Sequence, residues 1–192
     1  MTSGPDDAEL IARSLDGDED AFVEVVRRHE AAVGAYLARR VGRELAEDLL
    51  GEVWVAAFTS RATYDAAFPD AGPWLFGVAH NMLRRHWRSQ PAEELVGDVT
   101  GMASGWDPWA AVDNRVDAES VLRHALALLG PREREILTLV AWEDLTVADA
   151  GRALGLPPGT ARRYLHQARM ALLNAPGMAA LLTDLNTIKE AN

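Results

Sequence analysis

The stretch DLTVADAGRALGLPPGTARRYLHQARMAL, Asp144 to Leu172, decides the fold of the C-terminal part of the chain. Thr146 can cap a short helix that runs to about Leu154. Gly155 then supplies a turn, and Pro158 stands at the first position of a second helix, where proline is tolerated. Two helices joined by so short a turn predict a helix-turn-helix.

The second helix of this pair has one small or apolar face and one polar face. Small and apolar residues recur at helical spacing, at Ala161, Leu165, Ala168 and Leu172. We expect that row to face the core. The polar side chains that remain outside it are Thr160, Arg162, Arg163, His166, Gln167 and Arg169. Such side chains bind phosphates and base edges in a major groove. A helical hairpin with a solvated basic face is the alternative interpretation.

Helical periodicity also dominates the N-terminal half of the chain. The predicted helices run from about Ala8 to Leu15, Ala21 to Val41, Glu44 to Ser60 and Pro73 to Ser89. No alternating strand pattern of useful length accompanies them. The sequence therefore predicts an all-α fold.

The third of these predicted helices combines apolar rows with acidic residues. Two apolar rows run along it, and one of them includes Leu49. The remaining face holds Glu44, Asp48 and Glu52. We expect a helix that is buried on most sides and turns an acidic stripe outward.

Aromatic side chains precede and open the fourth predicted helix. Tyr64 and Phe68 lie in a segment of loop composition, and Trp74 stands at the helix start. The residues expected to pack inward are Trp74, Leu75, Val78, Met82 and Leu83, and those left outside are Asn81, Arg84, Arg85 and Arg88. Aromatic rings beside a basic helix suit unpaired bases, which need stacking surfaces and hydrogen-bond partners. Taken singly, a tryptophan such as Trp74 is more often a core residue.

The periodic pattern breaks between two helical segments, which predicts two small helical domains. Proline, glycine and acidic residues interrupt the pattern over residues 91–117, a composition typical of a linker. The predicted division is residues 1–90, the acidic linker 91–117, a helix-turn-helix domain 118–174 and a tail 175–192. Apolar residues of the tail recur at helical spacing, at Met178, Leu181, Leu182, Leu185 and Ile188. Packing on the second domain is favoured for them over binding a partner.

The overall composition limits the possible functions. The net charge is -10, from 29 acidic and 19 basic residues. That total disfavours nucleic-acid binding. However, arginines cluster locally over residues 79–90 and 156–174, and these clusters could still bind nucleic acid. The chain has no cysteine, and its five histidines show no metal-binding spacing. We expect no metal, no cofactor, no membrane insertion and no enzymatic activity, in a cytoplasmic protein.

Four runs of sequence carry a family resemblance. They are AEDLLGEVWVAAF (Ala46 to Phe58), GPWLFGVAHNMLRRHWR (Gly72 to Arg88), LLGPREREILTLV (Leu128 to Val140) and GLPPGTARRYLHQARMAL (Gly155 to Leu172). In this order they resemble conserved regions 2 and 4 of bacterial RNA polymerase sigma factors of the extracytoplasmic-function group. The resemblance implies promoter-specific transcription initiation.

The resemblance also implies roles for individual residues. Asp48, Glu52 and Leu49 would contact core RNA polymerase, whose β′ and β subunits are the expected partners. The residues implied to open and bind the −10 element of promoter DNA are Tyr64, Phe68, Trp74, Asn81, Arg84, Arg85 and Arg88. The helix from Gly159 would read the −35 element with Thr160, Arg162, Arg163, His166, Gln167 and Arg169. An anti-sigma factor is a further possible partner.

Two other functions stay open on the residues alone. An autonomous transcriptional regulator could use the helix-turn-helix by itself, with the N-terminal helices serving to sense or dimerise. An all-helical adaptor could bind only protein, with the acidic stripe and the tail as interfaces.

Overall fold

The structure, a computed structural model, describes residues 4–89 and 116–180. Within those ranges every regular element is a helix, which confirms the predicted all-α fold. The chain divides into two compact units, Met1–Ser104 with Arg152–Leu156 and Gly105–Gly151 with Pro157–Asn192. None of the helices in the described ranges combines the length and the hydropathy needed to cross a bilayer.

The N-terminal unit begins with α1 (Asp7–Leu15), α2 (Glu19–Val41) and α3 (Arg43–Ser60). A 3-10 turn, Arg61–Thr63, follows α3, and α4 (Gly72–Ser89) comes next. The four α-helices begin within two residues of their predicted starts.

Short-range signals set the ends of these helices. The Asp18 side chain accepts a hydrogen bond from the Ala21 N–H at 3.2 Å and so caps α2. Gly42 alone connects α2 to α3, with a φ of 79° that a side chain would disfavour. Helices α2 and α3 therefore meet at a tight corner and pack against each other.

The core of the N-terminal unit lies between α2, α3 and α4, with α1 packed on α2. Aromatic side chains join the helices at two places. Phe22 of α2 meets Phe58 of α3 edge to face at 5.3 Å. Tyr36 of α2 meets Phe76 of α4 at the same centroid distance, 5.3 Å. These edge-to-face pairs fix the faces that α3 and α4 leave to solvent.

The C-terminal unit contains α5 (Val116–Ala127), α6 (Pro131–Trp142), the part of α7 (Val147–Ala153) up to Gly151, and α8 (Pro158–Leu173). Helix α8 packs on α6 and on α5. The predicted linker lies outside the described residues except for its last two positions, which begin α5.

The first residues of the tail fold back on the C-terminal unit. Ala175 and Met178 are 6% exposed and cluster with Ala125 of α5. Gly177 makes this possible, because it has a φ of +81° and a Cβ there would lie 2.9 Å from a methyl of Val121. Packing on the second domain is confirmed for Met178, whereas Leu181, Leu182, Leu185 and Ile188 lie outside the described residues.

Candidate functional site

A row of acidic side chains runs along the exposed face of α3. Glu44, Asp48 and Glu52 are all exposed, as the sequence predicted. They follow one another at spacings of four residues, so each carboxylate lies beside the next on the helix surface. Within the described ranges no cation forms an ion pair with any of them. The row therefore destabilises the isolated helix and leaves its charge available to a partner.

Leu49 requires a correction to the predicted contact surface. Its side chain is 4% exposed and packs in the core beside Val53 rather than outward with the acids. Val55, which the sequence did not single out, is 69% exposed and continues the acidic row by almost one turn. The surface on α3 is therefore an acidic row that ends in an apolar side chain, and we call these residues, Glu44, Asp48, Glu52 and Val55, the α3 face.

The segment 64–72 between the 3-10 turn and α4 is held by internal contacts. The Tyr64 hydroxyl donates to the Phe68 carbonyl. The Tyr64 ring packs edge to face on Trp74, with centroids 5.4 Å apart. Burial, together with the nearby carboxylates of Asp7 and Asp70, raises the pKa of Tyr64 to about 12. Tyr64 and Trp74 thus form one partly buried aromatic pair.

Asp7, the first residue of α1, binds this segment by hydrogen bonds, a role that the sequence did not predict. The Asp7 side chain accepts hydrogen bonds from Arg28 Nη1 at 3.0 Å, His29 Nε2 at 2.6 Å and the Ala71 N–H at 3.0 Å. Burial acts to raise the pKa of Asp7, but the hydrogen bonds from His29, Ala71 and Arg28 outweigh it and lower the pKa to about 2. Asp7 is therefore a buried anion, tied to α2 and to the loop.

The same place contains a group of side chains that resembles a metal site. Among the described residues, Asp7, His29 and Asp70 are the ones whose ligand atoms lie within 4.8 Å of one another. The guanidinium of Arg28 and the Ala71 N–H already engage the Asp7 carboxylate. The charge of Asp7 is thus balanced within the chain, which favours a hydrogen-bonded network over cation binding.

Helix α4 turns a basic face outward. Asn81, Arg84, Arg85 and Arg88 are exposed, as predicted. The inward face differs from the prediction, because Val78, Met82 and Trp74 are only partly buried. The fully buried side chains are Leu75, Phe76, Ala79, His80 and Leu83. Packing against α2 and α3 thus rotates the buried stripe slightly from the row read in the sequence.

The helix-turn-helix forms as predicted. Thr146 Oγ1 accepts the Asp149 N–H at 3.2 Å and donates to the Asp149 carboxylate at 2.6 Å, which caps α7. Gly155 makes the turn with a φ of +64°. Helix α8 then begins at Pro158, the predicted first residue.

Helix α8 presents its polar face to solvent. Ala161, Leu165 and Ala168 are at most 3% exposed, and Leu172 packs against the apolar cluster of the tail. The exposed side chains are Arg162, Arg163, His166, Gln167 and Arg169, while Thr160 is partly buried. The Arg163 guanidinium lies 5.1 Å from the Tyr164 ring centroid, a cation–π contact that steadies it.

Comparison with known proteins relates both units to one family. Residues 25–97 match Sigma-70 region 2, and residues 120–172 match Sigma-70, region 4. The chain is 32% identical over 171 residues to the ECF RNA polymerase sigma factor SigF of Caulobacter vibrioides, with 85% of this chain and 89% of SigF covered. The chain belongs to the ECF family of RNA polymerase sigma factors. This ECF sigma factor is also 33% identical over 159 residues to the RNA polymerase sigma factor CarQ of Myxococcus xanthus, with 81% and 88% covered.

Two solved structures share the fold of this sigma factor. One is CnrH in complex with the cytosolic domain of CnrY, at a TM-score of 0.61 and 23% identity, with 93% of this chain and 97% of that chain covered. The other is the sigma factor RpoE with the anti-sigma factor NepR from Bartonella quintana, at a TM-score of 0.58 and 20% identity, with 84% and 96% covered.

As an ECF sigma factor, the chain acts in promoter-specific transcription initiation. Region 2 contains the α3 face, segment 64–72 and the basic face of α4, and region 4 contains the basic face of α8. The structure thus groups the predicted site residues into three surfaces, with Leu49 the one that lies in the core instead.

Proposed function

We propose that this sigma factor docks on core RNA polymerase through the α3 face, opens and holds the −10 element with segment 64–72 and α4, and reads the −35 element with α8. One observation carries the proposal. The exposed acids of α3 and the exposed arginines of α4 and α8 have no ion-pair partner within residues 4–89 and 116–180. Three surfaces of unpaired charge, one negative and two positive, call for one cationic and one anionic partner.

The charges of the α3 face suit a cationic surface on the polymerase. Like charges four residues apart each cost the helix about 0.2–0.5 kcal/mol, and a basic partner would remove that cost on binding. Val55, 69% exposed, supplies an apolar contact at the end of the row. An apolar contact bordered by charges is the usual composition of a specific interface. The β′ subunit of core polymerase is the partner we assign to this face, with β as a further contact.

Segment 64–72 and α4 together offer groups that contact unpaired bases and groups that neutralise the phosphates of a single DNA strand. Tyr64 and Trp74 provide aromatic edges, and Asn81 lies exposed two turns along α4 to hydrogen-bond a base. Arg84, Arg85 and Arg88 continue the exposed face and would neutralise backbone phosphates. We assign the capture of the opened −10 strand to this surface, with Phe68 at its edge.

Helix α8 has the layout of a recognition helix. Arg162 and Arg163 are exposed in its first two turns, the part that contacts base edges when such a helix enters a major groove. His166, Gln167 and Arg169 follow on the same exposed surface. Arginine binds guanine through two hydrogen bonds, whereas contacts to phosphate only position the helix. We therefore assign base reading at the −35 element to the arginine pair.

Reconstituted transcription tests this proposal. The chain is purified, mixed with core polymerase, and assayed for co-elution and for transcripts from genomic DNA, which map a promoter. Arg162→Ala with Arg163→Ala should abolish dependence on the −35 element and leave co-elution unchanged. Asp48→Lys with Glu52→Lys should weaken co-elution. Promoter-specific transcripts that survive both double variants would overturn the assignment of surfaces.

The same experiment separates the two competing functions. An autonomous regulator would bind promoter DNA without core polymerase, and a protein-only adaptor would give no promoter-specific transcripts. An anti-sigma factor is the additional partner we propose, since two similar folds were solved with the anti-sigma factor NepR or the cytosolic domain of CnrY bound. Such a partner should compete with core polymerase in the co-elution assay.

A further inference from the structure

One residue of α1, Asp7, holds the promoter-facing segment at two points. Its backbone N–H donates to the Pro69 carbonyl at 3.0 Å. Its carboxylate accepts the Ala71 N–H, also at 3.0 Å. These contacts bracket Asp70, whose own carboxylate accepts the Gly72 N–H at 2.8 Å. Asp7 thus holds residues 69 and 71 through their backbone, and the Asp70 side chain adds a local contact to Gly72.

The carboxylate of Asp7 is in turn fixed by α2. Arg28 Nη1 donates to one oxygen at 3.0 Å, and His29 Nε2 lies 2.6 Å from the other. Arg28 is itself anchored by the Pro5 carbonyl at 3.0 Å and by Glu24 at 2.9 Å. Asp7 is only 5% exposed. Several strong hydrogen bonds hold a buried carboxylate in a single orientation. Asp7 therefore links the segment rigidly to α2.

We propose that Asp7 is a positioning residue for the −10 element, which sets segment 64–72 in its binding conformation before DNA arrives. The inference rests on the proposed role of that segment. A segment that is ordered in advance loses little conformational entropy on binding, whereas a loose one must be ordered by the DNA itself. Because the Asp7 side chain is buried, it acts on promoter recognition through the backbone of the loop.

A purely structural role would be different in its consequences. Removing one partner of a buried ion pair leaves the other charge without a partner, which lowers the melting temperature wherever the pair lies. A positioning residue must in addition change the preference for −10 sequence and the protection of the loop amides. Neither quantity follows from a lower melting temperature alone, provided that the protein remains folded at the assay temperature.

The test uses the full chain bound to core polymerase. A fluorescent single strand carries the non-template −10 sequence of a promoter mapped with the parent, and a scrambled strand serves as its comparison. We expect Asp7→Ala to reduce the ratio of the two affinities about tenfold and Asp7→Asn to reduce it less. His29→Ala should also reduce it. His29→Gln, which keeps a donor near Asp7, should stay within about twofold of the parent.

The matched control is Asp18→Ala. It removes another acidic side chain from the same unit, with its bond to the Ala21 N–H and its ion pair to Arg13 at 2.6 Å, but it does not touch the loop. We expect it to lower the melting temperature and keep the parent's −10 preference. If Asp18→Ala and Asp7→Ala lose preference equally at equal melting temperature, Asp7 acts through stability and the proposal is wrong.

Hydrogen exchange gives a second readout that does not involve DNA. The amide of Ala71 should exchange at least tenfold faster in Asp7→Ala than in the parent or in Asp18→Ala, because its acceptor is gone. Unchanged exchange would overturn the positioning role. If instead the parent complex shows no −10 preference, the proposed function of the segment fails, and the exchange experiment still decides whether Asp7 holds the loop.

Discussion

Replacing Asp48 by Lys should stabilise the sigma factor and weaken its binding to core polymerase at the same time. Asp48 lies between Glu44 and Glu52 on the exposed face of α3, four residues from each. The substitution turns two like-charge neighbours into two opposite-charge neighbours. With each neighbour, the substitution removes a repulsion and adds an attraction, and each of these is worth a few tenths of a kcal/mol. The total gain in unfolding free energy is therefore about 1 kcal/mol. For a domain of this size that corresponds to a rise in melting temperature of roughly 4–8 °C.

Binding should change in the opposite direction. The reversed charge loses an attraction to the cationic partner and adds a repulsion, each worth up to about 1 kcal/mol at an exposed contact. The dissociation constant for core polymerase should therefore rise about tenfold. The difference between parent and variant should shrink at high salt, because exposed charges are screened.

Differential scanning fluorimetry and a fluorescence binding titration at two salt concentrations measure both effects. Glu30→Lys is the matched control, since Glu30 is an exposed acid on α2 and its reversal changes the net charge equally. It should leave affinity near that of the parent. If Asp48→Lys binds core polymerase as tightly as the parent does, or if both variants weaken binding equally, the α3 face is not the docking surface.

Three further outcomes follow from the geometry. The Asp7 carboxyl should titrate with a pKa of about 2, which carbon NMR can measure. Because that pKa is lowered from its unfolded value, the stability that Asp7 adds is present above about pH 4 and is lost as the pH falls towards 2. The parent should therefore exceed Asp7→Asn in unfolding free energy by about 2 kcal/mol at pH 5, and this difference should disappear on acidification. Thr146→Ala should lower the unfolding free energy of the C-terminal unit by about 1 kcal/mol in urea, and no change would show that the Asp149 contacts do not cap α7. Arg162→Ala or Arg163→Ala should weaken −35-dependent transcription by about 1–3 kcal/mol, and a loss that is equal on a scrambled −35 element would assign the arginine to phosphate instead.

Local patterns were sufficient to predict the helices and the face of α8. The spacing of Ala161, Leu165 and Ala168 leaves only one side of that helix for a core, and all three are buried. Thr146 and Gly155 act through neighbours within a few residues, so their roles could be read directly. A pattern confined to one helix predicts contacts that depend on that helix alone.

Long-range packing explains what the sequence did not predict. Leu49 and Val55 are both apolar residues of α3, yet one is 4% exposed and the other 69%. The apolar rows of α3 include Leu49 and predict its burial, whereas the exposure of Val55 depends on the direction from which α2 and α4 cover α3. Asp7 is similar, because its partner Ala71 is 64 residues away. An acid at a helix start predicts a cap, whereas a loop anchor depends on the tertiary fold.

Binding of promoter DNA with and without core polymerase tests the central claim most directly. The chain carries a net charge of -10, and each basic face offers only a few phosphate contacts. The free sigma factor should therefore bind duplex promoter DNA weakly and with little preference over a scrambled duplex at moderate salt. Core polymerase should cover the α3 face and let the basic faces of α4 and α8 bind the same DNA molecule, so that promoter affinity rises steeply. Tight, sequence-specific binding of the promoter duplex by the free chain would contradict the account.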